Sequence, residues 1–155
     1  MGYNIIDILN KGIDVSTKRK AIFEVIGQKN CDIPSIKIMS TVLGKQVDRT
    51  IKYYKELKME ITPEECDEID FVIYDKISFL INEFSSRLYV PEIDNIRDFL
   101  RFSLNLEKDL YSLLVNIQGR LVKNTNAEHT KTYQTLTKAI KNVSSHIETL
   151  KDLLK

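Results

Sequence analysis

Three titratable side chains interrupt the apolar helical stripes of this sequence, and they are the residues whose positions could support chemistry. Arg19 lies between Val15 and Ile22, and His146 follows an apolar position at helical spacing. Glu107 falls within a stripe formed by Leu100, Ser103, Leu110, Leu114 and Ile117. An unpaired charge in an apolar interior is costly, so each of these groups is expected to have a partner.

Two environments for Glu107 follow from the residue positions. In the first, the carboxylate lies at the edge of its stripe or hydrogen-bonds to Ser103, Tyr111 or His146. In the second, it forms a salt bridge with Arg19 on the inner side of the first helix. His146 itself is expected to be a satisfied interior histidine rather than a metal ligand.

Patterns that would indicate nucleophilic or nucleotide chemistry are missing from the sequence. There is no Ser-His-Asp or Cys-His arrangement, and the glycines stand alone in helical context rather than in a phosphate-binding loop. Short basic clusters at residues 18–20 and at Lys52, Lys55 and Lys58 have no interleaved exposed aromatics. Nucleic-acid binding is therefore not expected.

Length and composition predict one mostly helical domain spanning residues 1–155. The chain has 43% hydrophobic and 29% charged residues, with only 5 Gly, 3 Pro and no Trp. Its net charge of +1 offers no overall field for nucleic acid or an anionic membrane. Cys31 and Cys66 are too far apart in sequence to indicate a disulfide framework or a zinc site. Without a spanning apolar run of about 18 residues or a signal-like N-terminus, a cytoplasmic protein is expected.

Apolar periodicity predicts five helices, at about residues 4–27, 34–61, 63–88, 92–122 and 128–155. Gly27 is expected to end the first helix. Thr62 and Glu65 form a capping-box pattern that is expected to start the third, which Pro91 ends. The polar turn Asn124-Thr125-Asn126 separates the last two helices.

Each of the last two predicted helices contains a short sequence motif. Residues 104–111 read Leu-Asn-Leu-Glu-Lys-Asp-Leu-Tyr around Glu107, and residues 143–147 read Val-Ser-Ser-His-Ile around His146. They resemble the rubrerythrin-like branch of the ferritin-like superfamily, in which a helix with a ligand Glu precedes a helix with Glu-x-x-His. In the first half, residues 12–18 put Ser16 at the ligand position, and residues 47–50 replace Glu-x-x-His entirely.

The resemblance implies an all-α, ferritin-like bundle whose helices run up, down, down and up. The third predicted helix would then be the crossover between the second and third bundle helices. At ~1.5 Å per residue, its roughly 25 residues reach nearly 40 Å, which is long enough. A plain five-helix up-and-down bundle is the alternative.

The resemblance also implies a degenerate di-iron site. Such a site takes about six side-chain ligands, and this chain offers Glu107 and His146. A salt bridge from Arg19 to Glu107 would put an organic cation where the family holds metal. A single retained metal on Glu107 is the third alternative for that carboxylate.

These observations predict a non-catalytic structural or protein-interaction module without a cofactor, most simply a homodimer. Self-association is expected because the third helix has a wide apolar stripe, formed by Ile69, Val72, Ile73, Ile77, Leu80 and Ile81. The alternative function is a ferritin-like oxidoreductase with an atypical iron or manganese site at Glu107 and His146. Neither function involves nucleic acid or a membrane.

Overall fold

Five α-helices follow one another in the computed structural model, which describes residues 2–123 and 125–155. They are α1 (Ile5–Lys29), α2 (Pro34–Glu60), α3 (Phe71–Ser86), α4 (Ile96–Arg120) and α5 (Lys131–Leu153). Short 3₁₀ turns occupy Pro63–Glu65 and Ala127–His129. The described residues contain no β-strand, only an isolated bridge between Tyr3 and Ile69. This confirms the all-α class, while Asn124 of the predicted polar turn lies outside the described residues.

Side-chain caps define where most of these helices begin. The Asn4 side chain accepts from the Ile6 N–H, and the Asp7 carboxylate accepts in return from the Asn4 N–H, which closes a capping box on α1. Asn95 caps α4 by accepting from Asp98 N–H at 2.8 Å. This cap starts α4 at residue 96, four residues after the predicted start. In the described ranges, no helix combines the length and apolar character needed to cross a membrane.

The predicted start of the third helix at residue 63 is wrong. The Thr62 and Glu65 capping box is present, but it closes only a three-residue 3₁₀ turn. Farther along the chain, the Ile69 N–H donates to the Tyr3 carbonyl at 2.8 Å, and this hydrogen bond keeps Ile69 outside any helix. Asp70 then caps α3, which begins at residue 71. A capping box satisfies the first N–H groups of a turn, but tertiary contacts decide whether a helix continues from it.

Gly27 does not end α1, contrary to the sequence-based prediction. The helix continues to Lys29, and Asn30 is its C-cap. Gly27 is buried against α2, where an added Cβ would overlap the Ser40 hydroxyl oxygen. The missing side chain therefore allows α1 and α2 to approach each other closely.

Replacing Gly27 with alanine should lower the free energy of unfolding by about 1–2 kcal/mol, because the new methyl group must displace Ser40. Gly44→Ala on α2 is the matched control, since an added Cβ there would have no neighbour within 4 Å among the described residues. That change should raise stability by roughly 0.5–1 kcal/mol through helix propensity. Urea unfolding of both variants checks this, and an equal effect of the two substitutions would contradict the close approach.

Contacts between the long helices establish their relative directions. Ile8 near the start of α1 and Ile117 near the end of α4 line one small pocket of about 40 Å³. Closer to the middle of both helices, Arg19 pairs with Glu107, so α1 and α4 run antiparallel. α2 and α5 are also antiparallel, with contacts from Lys138 to Glu60 and from Asn142 to Thr50. The core lies among α1, α2, α4 and α5, and α3 packs across α1 and α4.

Candidate functional site

The inner face of α1 carries Arg19 into the core. Val15, Ile22 and Phe23 are buried on the same face, and Arg19 itself is only 2% exposed. Helical spacing of three and four residues brings all of these side chains to one side of the helix. The guanidinium therefore lies in the bundle interior, away from bulk water.

Glu107 on α4 meets this guanidinium and is equally buried, at 2% exposure. Its Oε1 accepts a hydrogen bond from Arg19 Nη2, which makes a buried ion pair between α1 and α4. Ser103 donates instead to the Phe99 carbonyl, and Tyr111 is exposed. Of the environments predicted for Glu107, the structure has the salt bridge to Arg19.

His146 on α5 extends the pair to a third helix. Its Nδ1 lies 3.8 Å from Glu107 Oε2, and its side chain is 13% exposed. Burial raises the pKa of the Glu107 carboxyl, but the Arg19 guanidinium and the His146 imidazole outweigh this and hold it below its ordinary value. Glu107 is therefore a carboxylate at neutral pH.

The pair is not fully satisfied by hydrogen bonds. Within the described part of the chain, Arg19 Nε and Glu107 Oε2 are buried and have no hydrogen-bond partner. The free-energy cost of desolvating two ions is offset only when their remaining donors and acceptors also form hydrogen bonds. The buried pair is therefore a feature whose net contribution to stability is small, whereas the loss of one member is costly.

Tyr54 of α2 lies within electrostatic reach of Arg19 and Glu107, and no sequence motif marked it as part of this site. It is 4% exposed. Burial, together with the Glu107 charge, raises the pKa of its phenol to about 12, while Arg19 acts in the opposite direction. Thr50, also buried on α2, accepts from Asn142 Nδ2 at 3.3 Å. The sequence did contain a signal for these two residues, because the hydroxyl groups of Thr50 and Tyr54 lie on an otherwise apolar face of α2.

The arrangement does not fit a di-iron centre. Glu107 and His146 are the two predicted ligand residues that the structure brings together, and Arg19 lies beside them as a cation. Among residues 2–123 and 125–155, no group of three or more His, Cys, Asp or Glu is placed to hold a metal ion. What these groups can do is hold buried charge and link α1, α4 and α5. His129 lies away from this site, in the second 3₁₀ turn, with 74% of its side chain exposed.

Comparison with protein-family models, with curated proteins and with solved structures gives no match for this chain.

Proposed function

We propose that this chain is a non-catalytic, ferritin-like helical module that acts by association with another protein chain. The observation that carries the proposal is the buried Arg19–Glu107 pair. Glu107 is the residue that aligns with a ligand position of the family, and its partner is an organic cation rather than a metal. A fixed cation at this position opposes the binding of a second cation, because both would compete for one carboxylate.

The directions of the helices support the ferritin-like arrangement. α1 and α4 are antiparallel, as are α2 and α5. α1 and α2 are antiparallel as well, because Gly12 near the start of α1 lies close to Tyr54 near the end of α2, and Gly27 near the end of α1 lies close to Ser40 near the start of α2. The four long helices therefore run up, down, down and up, with α3 connecting the middle two.

A cytoplasmic location fits the two free cysteines, Cys31 and Cys66.

The alternative function, a metal-dependent oxidoreductase, has one specific observation in its favour. Glu107 Oε2 is buried, has no hydrogen-bond partner among the residues that the structure describes, and lies 3.8 Å from His146 Nδ1. A single iron or manganese ion between these two atoms would satisfy both of them.

Metal analysis of protein purified without chelator distinguishes the two functions. We expect far less than one equivalent of iron or manganese, and no rise in melting temperature when either metal is added. Arg19→Met is the informative companion variant, because it removes the cation and keeps Glu107 and His146. Near-stoichiometric metal in the parent, lost in Glu107→Gln, would overturn the proposal in favour of the oxidoreductase.

A further inference from the structure

One face of α3 carries exposed apolar side chains. Val72 is 75% exposed and Phe79 is 56% exposed. Successive residues of an α-helix are rotated by about 100° around its axis. On that spacing, these two side chains and four others project within one arc that is roughly 100° wide. We name this arc the α3 outer face, and its members are Val72, Lys76, Phe79, Leu80, Glu83 and Arg87. Ile69, Ile77 and Ile81 of the wide stripe predicted from the sequence are instead buried in the chain's own core.

A groove continues this face toward α4. It has a volume of about 480 Å³ and shares Leu80, Glu83 and Arg87 with the α3 outer face. Apolar and aromatic side chains from both sides line it, among them Phe84, Leu88, Phe102, Leu106 and Leu113. The two features together form one continuous surface on which exposed apolar side chains are interspersed with charged ones, and exposed apolar patches of this kind mark interaction sites.

Two of the three charges on the α3 outer face, Lys76 and Glu83, are placed symmetrically about its centre. Lys76 and Glu83 lie at equal distances along the helix from the midpoint between Phe79 and Leu80. If a second α3 packs antiparallel across that midpoint, Lys76 of each copy faces Glu83 of the other, and Phe79 faces Leu80. A parallel pairing would instead place Lys76 against Lys76.

We propose that the α3 outer face is a twofold interface, and that its occupant is the antiparallel α3 of a second copy of this chain. In this register Lys76 faces Glu83 and Phe79 faces Leu80, as a twofold interface requires, while Arg87 faces Val72. Its charged members make exposed contacts within the chain, from Arg87 to Glu83 and from Lys76 to the Phe79 ring. Exposed contacts of this kind are weak and can be exchanged for contacts to the partner. This inference rests on the proposed function, since it names the partner of the module.

Charge exchange tests the register of the interface. Lys76→Glu alone and Glu83→Lys alone should each weaken dimerisation by about tenfold or more, because each places two like-charged pairs across the twofold axis. An equimolar mixture of the two variants should form a heterodimer near the parent affinity, since both facing pairs are then opposite in charge. The double variant should likewise regain homodimerisation. Sedimentation velocity over a concentration series measures all four samples.

Phe79→Ser tests the apolar part of the face without disturbing the fold, because the ring is largely exposed in the single chain. Ile38→Ser on α2 is the matched control, as Ile38 is 64% exposed on another surface. The expected result is a monomer for Phe79→Ser and an unchanged dimer for Ile38→Ser, with both circular dichroism spectra like that of the parent.

Two outcomes would overturn the inference. The first is a parent chain that is monomeric at about 100 µM. The second is a dimer that survives Phe79→Ser and both charge reversals, which would mean that another face or another partner is used. Neither outcome bears on metal content, so failure of this interface remains distinguishable from failure of the proposed function.

Discussion

Arg19→Met should lower the free energy of unfolding by about 3–5 kcal/mol. The substitution leaves the Glu107 carboxylate 2% exposed in the bundle core without its cation, and an uncompensated buried charge is strongly destabilising. Methionine retains much of the arginine stem volume, so loss of packing accounts for little of the effect. Urea unfolding at neutral pH, followed by circular dichroism, measures the change.

The companion substitution at Glu107 completes a double-mutant cycle. Glu107→Leu should destabilise on a similar scale because it strands the guanidinium, whereas Arg19→Met combined with Glu107→Leu should cost far less than the sum or even stabilise the protein. A change below about 0.5 kcal/mol for Glu107→Gln would contradict the buried pair, because such a value is typical of surface positions.

Acid should reduce the difference between the parent and Arg19→Met. In the parent, the pKa of Glu107 is lowered, so the stabilisation from its carboxylate is present above the unfolded-state pKa and is lost as the pH falls through the folded-state pKa. In Arg19→Met, burial without the cation should raise that pKa, and protonation then relieves the stranded charge. Unfolding curves at several acidic pH values therefore should converge.

Alkaline pH should destabilise the parent more than Tyr54→Phe. Because the phenol of Tyr54 has its pKa raised to about 12 in the folded chain, its neutral form contributes stability that is complete below the unfolded-state pKa of about 10. That stability is lost as the pH rises through the folded-state value. Between about pH 9 and about pH 11.5, the parent should lose about 2 kcal/mol more than the variant.

Urea unfolding of both proteins at the two pH values gives this difference directly. Tyr53→Phe is the control, because Tyr53 is the neighbouring tyrosine and is only partly buried. Equal pH dependence in the parent and Tyr54→Phe would show that the Tyr54 phenol is not held in the protonated form by its surroundings.

The class of fold was predictable from the sequence because apolar spacing is a local property of the chain. The same periodicity correctly predicted five helices, and it predicted that Arg19 and Glu107 lie on inward faces. Helix boundaries were less predictable. Thr62 and Glu65 satisfy the local rule for a helix start, but the distant contact between Ile69 and Tyr3 determines that α3 begins later.

Gly27 illustrates the same limit at a helix end. A glycine after an apolar run is typical of the C-terminal end of a helix. Here the glycine is needed because α2 approaches α1 closely, and this requirement comes from Ser40, 13 positions farther along the chain.

The sequence by itself determined that Arg19 and Glu107 interrupt apolar faces, and it left open whether Glu107 lies at the edge of its stripe or is paired in the interior. Only the tertiary structure decided that Arg19 and Glu107 are partners, that His146 lies 3.8 Å from the carboxylate, and that both charges of the pair act on the Tyr54 phenol. The physical reason is that helical periodicity specifies which side of a helix faces inward but not the relative height and rotation of packed helices. Those depend on how side chains from all five helices interlock in one core.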